Sequence, residues 1–210
     1  MLIQNNSSIN AKILLVEDNE INQTVCEEML KRVGAEVVLA NDGLEAVAMC
    51  RENHFDIILM DLHMPRMNGF DASKEIRTFD EKTLIIALTA AVMGEDRILS
   101  KEAGMQEHLA KPIDFDELFN VINKYLPSLV SIGSPTIDEK NYVSNNHLDF
   151  EELLKRIGNE KLANELLKKF ETTYKDYEKD LIENFETEEF SKSIHKLKGV
   201  SGNLALKALY

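Results

Sequence analysis

The stretch F-D-I-I-L-M-D-L-H-M-P-R-M-N-G, residues 55–69, decides the fold. Its first part is a short apolar run, which is typical of a strand that is buried on both faces of a parallel sheet. Asp61 follows the run directly, and a loop with Pro65 and Gly69 leads into a helix predicted over about residues 70–77. We therefore expect a central strand with an aspartate at its carboxyl end.

Four further strand–helix units surround this one. K-I-L-L-V begins the series at residues 12–16, and more strands are predicted at residues 35–40, 83–88 and 108–110. A helical pattern of apolar residues follows each of them. Five such units within about 120 residues predict a parallel sheet with helices on both faces.

Composition narrows the classes of function. The 210 residues carry a net charge of −13, and residues 1–127 hold 12 Lys and Arg against 22 Asp and Glu. This charge disfavours a nucleic-acid partner, and the excess of acidic residues in the first region makes a cation site plausible there. The sequence has no run long enough for a membrane span and no signal-peptide pattern. Cys26 and Cys50 form no C-x-x-C pair, so we expect buried reduced thiols in a cytoplasmic protein without a membrane segment in this chain.

Polar residues stand at the ends of four predicted strands. Glu17 and Asp18 follow the first strand, Asp61 the third, Thr89 the fourth and Lys111 the fifth. Each alone is ordinary cap or loop chemistry, but the carboxyl ends of parallel strands meet at one edge. Three carboxylates there favour Mg²⁺, and an added lysine and hydroxyl would cradle a phosphoryl group. Asp61 is then a candidate nucleophile that forms an acyl phosphate.

The motifs L-L-V-E-D-N, M-D-L-H-M-P-R-M-N-G, L-T-A and K-P resemble, in order, the receiver domain of bacterial two-component response regulators. The resemblance covers residues 11–127 and implies a flavodoxin-like, doubly wound sheet of five parallel strands in the order 2-1-3-4-5. It implies that Asp61 accepts the phosphoryl group and that Glu17 and Asp18 hold Mg²⁺, with Asp18 the more direct ligand. Asp61 and the backbone carbonyl of His63 would complete the protein ligands.

The same resemblance implies roles for residues at the other strand ends. Thr89 would be the switch hydroxyl that moves toward the phosphoryl oxygen, and Lys111 would pair with that oxygen. Pro112 would follow Lys111 in a cis peptide bond. The family often has Tyr or Phe just ahead of the lysine, whereas this chain has His108, which weakens the case for an aromatic switch.

Residues 128–146 differ from what precedes them, since they are rich in Ser, Asn, Gly and Pro and lack sustained periodicity. This composition predicts a linker, some of whose apolar residues can dock on a domain. We therefore predict a receiver domain at residues 10–127, a linker at 128–146 and a helical domain at 147–210.

The helical domain carries the pattern H-K-L-K-G-V-S-G-N-L from residue 195. His195 and Gly199 share one helix face at i and i+4, so the glycine leaves room beside the imidazole. Lys198, at i+3, can neutralise a phosphoryl group on that ring. The spacing by itself also fits a surface histidine on a basic helix face.

This pattern resembles the H-x-L-K-G-x-S-x-N-L signature of histidine-phosphotransfer (HPt) domains, which are four-helix bundles. Residues 150–170 also resemble the first two helices of that family. The resemblance implies that His195 is phosphorylated and that Lys198 is its companion. The end of the third helix and the whole fourth helix are expected to be missing, so we predict an all-α partial bundle that is incomplete at its C-terminus.

The two resemblances together predict a phosphorelay. An upstream histidine kinase would phosphorylate Asp61, and the group would pass to His195 and then to a downstream response-regulator receiver. The chain has no ATP-binding motif, so it fits the C-terminal part of a hybrid sensor kinase, of which it can be a fragment. A homodimer through the helical region is also open.

Two other functions stay open. One is a response regulator whose helical tail serves only for dimerisation or partner binding. The other is a Mg²⁺-dependent hydrolase that uses Asp61, which His63 disfavours because a second acid is expected at that position.

Overall fold

The computed structural model describes residues 2–5, 8–89, 95–131, 135–138, 148–175, 177 and 188–206. The chain forms two compact units, Met1–Glu139 and Lys140–Tyr210. In chain order the described elements are β1 (Leu2–Asn5), β2 (Ser8–Ile9), β3 (Lys12–Val16), α1 (Glu20–Arg32), β4 (Glu36–Ala40), α2 (Gly43–Glu52), β5 (Ile57–Asp61), α3 (Gly69–Arg77), β6 (Leu84–Thr89), α4 (Glu95–Glu102), β7 (Glu107–Ala110), α5 (Phe115–Tyr125), a 3₁₀ turn (Pro127–Leu129), β8 (Val130–Ser131), β9 (Pro135–Asp138), α6 (Phe150–Ile157), α7 (Glu160–Tyr174) and α8 (Glu188–Asn203).

The sheet of the first unit has five parallel strands in the order β4-β3-β5-β6-β7. This is the predicted order 2-1-3-4-5, and the apolar run that begins at residue 55 supplies its central strand. Every residue of β5 and β6 is buried, because helices cover both faces of a parallel sheet. The predicted flavodoxin-like, doubly wound fold is confirmed.

Side chains of alternate strand residues enter two separate cores. Ile13 and Leu15 of β3 pack in one core with residues of α1 and α5, and Leu14 and Val16 pack in the other with residues of α2 and α3. Because successive side chains of a strand point to opposite faces, one nearly all-apolar strand serves both cores. This double burial holds the carboxyl ends of the strands in fixed positions.

Two short antiparallel pairs lie outside the five-stranded sheet. β2 pairs with β8, and β1 pairs with β9. Ile9 of β2 is fully buried, and Leu129 and Val130 pack against the same core. The structure therefore places strands in the first part of the predicted linker, where sequence composition indicated none. The boundaries 128 and 146 remain a prediction.

The second unit contains helices at the three places where helical periodicity predicted them. Asp149 caps α6 by accepting the backbone N–H of Glu152 at 3.0 Å. The N–H of Asp149 donates to the carbonyl of Ala205 at 3.0 Å, and Nη1 of Arg156 donates to the carbonyl of Gly202 at 2.9 Å. These contacts join α6 to the end of α8.

The two cysteines differ in burial. Cys26 is buried in the core, as expected, and Cys50 is only half-buried, so the prediction is wrong for Cys50. Cys50 lies near the end of α2 and packs against the core that α2 and α3 form, but it stays partly exposed. Burial, with a smaller contribution from Asp80, raises the pKa of the Cys50 thiol to about 12. Neither cysteine forms a disulfide. Among the described helices, none has the length and apolar character that a membrane span requires.

We expect Ser73→Ala to raise the free energy of unfolding by about 1 kcal/mol. Ser73 lies on the buried face of α3, and its hydroxyl has no hydrogen-bond partner among the described residues. Removing it relieves the cost of burying an unpaired polar group. Urea denaturation followed by circular dichroism measures the change.

Ser100→Ala is the matched control, because Ser100 is a fully buried helical serine whose hydroxyl donates to the carbonyl of Asp96 at 2.7 Å. We expect this variant to lose about 1 kcal/mol of stability or more, since the hydroxyl loses its hydrogen bond to the carbonyl of Asp96 and its contact with Nε2 of His108. Equal destabilisation by both substitutions would contradict the account of Ser73.

Candidate functional site

The register of the sheet brings the predicted acidic residues together. Val16 of β3 pairs with Met60 of β5, so Glu17 and Asp61 leave neighbouring strands side by side. Asp18 follows at once and is half-buried. One carboxylate oxygen from each of these three acidic residues lies within 4.8 Å of the others. Clustered carboxylate oxygens are the ligands that a hard divalent cation prefers, so the residues present fit Mg²⁺.

Lys111 lies between two of these acids. Its Nζ is 2.6 Å from Oε2 of Glu17 and 2.7 Å from Oδ2 of Asp61. All three residues are nearly inaccessible, with exposed fractions of 4%, 1% and 3% for Lys111, Glu17 and Asp61. A buried charge is tolerated when it is paired and hydrogen-bonded. The charged forms of Lys111, Glu17 and Asp61 therefore stabilise one another in this buried site.

Burial and pairing shift the pKa values at this site in predictable directions. Burial raises the pKa of Glu17 to about 7, and Asp61 adds to the rise, while Lys111 opposes it. Burial lowers the pKa of Lys111, but the neighbouring carboxylates of Glu17 and Asp61 outweigh burial and raise it above its usual value. Lys111 is therefore a permanent positive charge between the carboxylates of Glu17 and Asp61.

Thr89 and Lys111 are fixed through their backbones. Thr89 is 1% exposed at the end of β6, and its carbonyl accepts the N–H of Lys111 at 2.7 Å. The peptide bond between Lys111 and Pro112 is cis, as the resemblance to receiver domains implied. Both residues therefore lie at the same sheet edge as the three acids.

Gly69 has a role that sequence reasoning missed. A Cβ atom at this position would lie 2.2 Å from the carbonyl oxygen of Asp61, a distance that no side chain allows. The N–H of Gly69 also donates to the carbonyl of Leu62 at 3.1 Å. Glycine thus lets the start of α3 close against the backbone that carries Asp61. The sequence predicted a loop with Pro65 and Gly69, but it carried no signal of this close approach.

Two amide side chains on α1 were also missed. Nδ2 of Asn22 donates to Oε1 of Glu17 at 2.9 Å, and Nε2 of Gln23 donates to the carbonyl of Glu17 at 2.6 Å. Both residues are buried. Two adjacent polar residues on a helix face that also buries Ile21 and Val25 were the available signal.

Two histidines lie close in sequence to residues of the site, His63 after Asp61 and His108 before Lys111. The N–H of His63 donates to Oδ1 of Asp61 at 3.2 Å, and the exposed imidazole has Nε2 3.3 Å from Oδ2 of Asp96. The role of the His63 carbonyl as a metal ligand remains a prediction. His108, half-buried on β7, contacts the hydroxyl of Ser100 through Nε2. Burial lowers the pKa of His108, and nearby Arg97 acts in the same direction.

His195 and Lys198 belong to the second unit and both lie on α8. The structure describes the backbone of His195 but not its side chain. Lys198 is half-buried, and Gly199 and Val200 next to it are buried. The predicted helix face around residue 195 is therefore described only in part.

The sheet, with its acid pair, central aspartate, threonine and lysine at one edge, defines the receiver class of two-component signalling proteins. The chain belongs to the response regulator receiver domain family, whose model matches residues 13–123. The match falls on the first unit.

Comparison with known proteins supports this assignment. The chain is 32% identical over 207 residues to the aerobic respiration control sensor protein ArcB of Escherichia coli, an alignment that covers 94% of this chain and 26% of ArcB. The chain spans about a quarter or less of the length of the curated relatives it matches.

Two solved structures resemble the first unit. The receiver domain of sensor histidine kinase PA1611 from Pseudomonas aeruginosa is 41% identical, with a TM-score of 0.53 over 56% of this chain and 98% of that domain. That structure has a magnesium ion in its active-site cleft. The second is the receiver domain of Ssk1 from Saccharomyces cerevisiae, in complex with the histidine phosphotransfer protein Ypd1. It is 30% identical, with a TM-score of 0.53 over 56% of this chain and 90% of that one.

Proposed function

We propose that Asp61 accepts a phosphoryl group from a kinase phosphohistidine. The observation that carries the proposal is the ammonium group of Lys111, buried within 2.7 Å of both Glu17 and Asp61. A carboxylate oxygen of Asp61 forms a bond to phosphorus, and the bond between phosphorus and the histidine nitrogen breaks. The nitrogen leaves with the electron pair, and the product is an acyl phosphate on Asp61.

Glu17, Asp18 and Asp61, with the backbone carbonyl of His63, would hold Mg²⁺ at this site. The ion would neutralise charge on the phosphoryl oxygens. Support comes from the cluster of three carboxylates within 4.8 Å of one another and from the magnesium ion bound by the PA1611 receiver domain. Oxygen ligands in small number, with room for phosphate oxygens, suit Mg²⁺.

Lys111 and Thr89 would stabilise the phosphorylated state. Lys111 is a permanent positive charge next to the carboxylate that gains the phosphoryl group, so it can pair with a phosphoryl oxygen. The hydroxyl of Thr89, at the adjacent strand end, can donate a hydrogen bond to the same group. Because His108 stands where the family often has Tyr or Phe, the proposal includes a weaker aromatic switch in this chain.

The helical unit would be an HPt domain, incomplete at its C-terminus, in which His195 is phosphorylated and Lys198 neutralises the added charge. The similarity to ArcB supports this proposal, because it extends over both units of the chain. The proposed domains are a receiver at residues 10–127, a linker at 128–146 and the HPt-like domain at 147–210. In the yeast complex, a receiver domain binds a histidine phosphotransfer protein, which is the kind of pairing proposed.

The proposed relay takes phosphate from an upstream histidine kinase and passes it to a downstream response-regulator receiver, in the cytoplasm. Homodimerisation through the helical region remains part of the proposal.

A transfer experiment between two variants tests the relay. The His195→Gln chain, phosphorylated on Asp61, serves as donor, and the Asp61→Asn chain serves as acceptor. We expect label on the acceptor that survives base, because phosphohistidine resists base and an acyl phosphate does not. Mass spectrometry locates the label, which is expected on His195.

The Asp61→Asn/His195→Gln double variant is the control acceptor and should remain unlabelled. Equal labelling of this control would contradict the role of His195. An Asp61→Asn acceptor that remains unlabelled would favour the alternative, a response regulator whose helical tail serves dimerisation or partner binding only.

A further inference from the structure

The first turn of α1 fixes the carboxylate of Glu17. Oε1 of Glu17 accepts Nδ2 of Asn22 at 2.9 Å and the backbone N–H of Asn19 at 3.3 Å. Oε2 lies on the other side, 2.6 Å from Nζ of Lys111. Since the two oxygens are held by groups in opposite directions, the rotamer and the plane of this carboxylate are set.

Asn22 is itself held in place. The side chain of Asn19 caps α1 and accepts the backbone N–H groups of Ile21 at 3.0 Å and Asn22 at 3.2 Å. Asn22 is 3% exposed, so its amide lies where an unpaired polar group would be costly. The hydrogen bond to Glu17 gives this amide a partner, and it fixes the carboxylate relative to the start of α1.

The next residue supports the same acid through the main chain. Nε2 of Gln23 donates to the carbonyl of Glu17 at 2.6 Å and to Oδ1 of Asn41 at 3.0 Å. Gln23 thus fixes the backbone of Glu17, while Asn22 fixes its carboxylate. The amide of Asn22 donates directly to Glu17, a member of the acidic cluster, so its effect on the site should run through Glu17.

We propose that Asn22 is a positioning residue of the magnesium site and acts by aiming the carboxylate of Glu17. The inference rests on the proposed function, because it assigns Asn22 to the cation site of that function. Without the amide, Oε1 of Glu17 loses its shorter hydrogen bond and keeps only the 3.3 Å contact with the N–H of Asn19, while Lys111 still holds Oε2. The carboxylate is then less firmly aimed at Asp18 and Asp61, and the cluster is less completely preformed. Hydrogen-bond partners of metal ligands typically change metal affinity by about 10- to 100-fold when they are replaced.

The test is the Mg²⁺ affinity of the full chain with Asn22→Leu, measured by titrating MgCl₂ and following amide chemical shifts by NMR. We expect a Kd roughly tenfold or more above that of the parent chain. Thr24→Ala is the matched control, since Thr24 is on the same helix and donates to the carbonyl of Glu20. Its Kd should equal that of the parent. If Asn22→Leu does not fold, Asn22→Ser replaces it, because the serine hydroxyl is too short to make the same bond.

A second background separates positioning from a general structural effect. In a Glu17→Ala chain, which lacks the carboxylate that accepts from Asn22, adding Asn22→Leu should change the Mg²⁺ Kd by no more than about twofold, because partners in one network are not additive. An unchanged Kd for Asn22→Leu in the parent chain would overturn the inference, and so would a full tenfold effect that persists in the Glu17→Ala background. Failure of the parent chain to bind Mg²⁺ would instead overturn the proposed function, and the inference with it.

Discussion

Asp61→Asn is expected to abolish phosphorylation of the receiver unit by acetyl phosphate and Mg²⁺. The parent chain should take up about one phosphoryl group, which base or hydroxylamine removes because it is an acyl phosphate. The asparagine side chain has nearly the same shape but is a very poor nucleophile, so labelling should fall by roughly a thousandfold or more. Intact-mass measurement after incubation gives the occupancy. EDTA should prevent labelling of the parent, since the three clustered carboxylates would lose their cation.

Asp71→Asn is the control for this experiment. Asp71 is an exposed acid in the first turn of α3, on the loop–helix segment that follows Asp61. This variant should be labelled like the parent. Label on Asp61→Asn in the absence of a partner protein would contradict the assignment of Asp61.

Lys111→Met is expected to lower the free energy of unfolding by about 3–5 kcal/mol at pH 8 without Mg²⁺, because it leaves buried carboxylates without their counter-charge. Glu17 and Asp61 lie within 2.7 Å of the lysine Nζ and are almost fully buried. Urea denaturation of the parent and the variant measures the difference. Added Mg²⁺ should recover part of it, since the cation offers another positive charge to the same acids.

The pH dependence of this effect has a definite sign. Burial is the chief cause that raises the pKa of Glu17 from its ordinary value of 4.5 to about 7. Between these values the folded chain holds a proton that the unfolded chain has released, so stability decreases as pH rises through that window. Lys111 opposes the rise in the pKa of Glu17, so its removal should raise that pKa further. The pH range over which stability decreases then extends to higher pH. The difference in the free energy of unfolding between the parent and Lys111→Met should therefore become smaller as pH falls toward 5.

Lys101→Met is the control, because Lys101 is an exposed lysine in the last turn of α4. We expect its denaturation midpoint to stay close to that of the parent at every pH. A Lys111→Met chain as stable as the parent at pH 8 in EDTA would contradict the buried ion-pair account.

Local pattern predicted the strands of the five-stranded sheet well. Apolar runs such as residues 57–60 and 84–88 are long enough to identify buried strands, and alternation with helices fixes their common direction. The short pairs β1–β9 and β2–β8 were not predicted, because two- to four-residue strands carry no periodicity. Cys50 was predicted to be buried but is half-buried, because helical periodicity indicates which face of a helix meets the core and not how completely each residue of that face is covered.

The same contrast holds at the site. The sequence pattern predicts the direction and the chain order of the strands. These place Glu17, Asp61 and Lys111 at one edge, because parallel strands end on the same side of a sheet. Tertiary structure alone decided that Asn22 faces Glu17 and that Gly69 closes against the carbonyl of Asp61. Those contacts depend on the rotation and position of each helix against the sheet. Packing between residues of different elements sets both, and the local spacing of residues along the sequence does not indicate them.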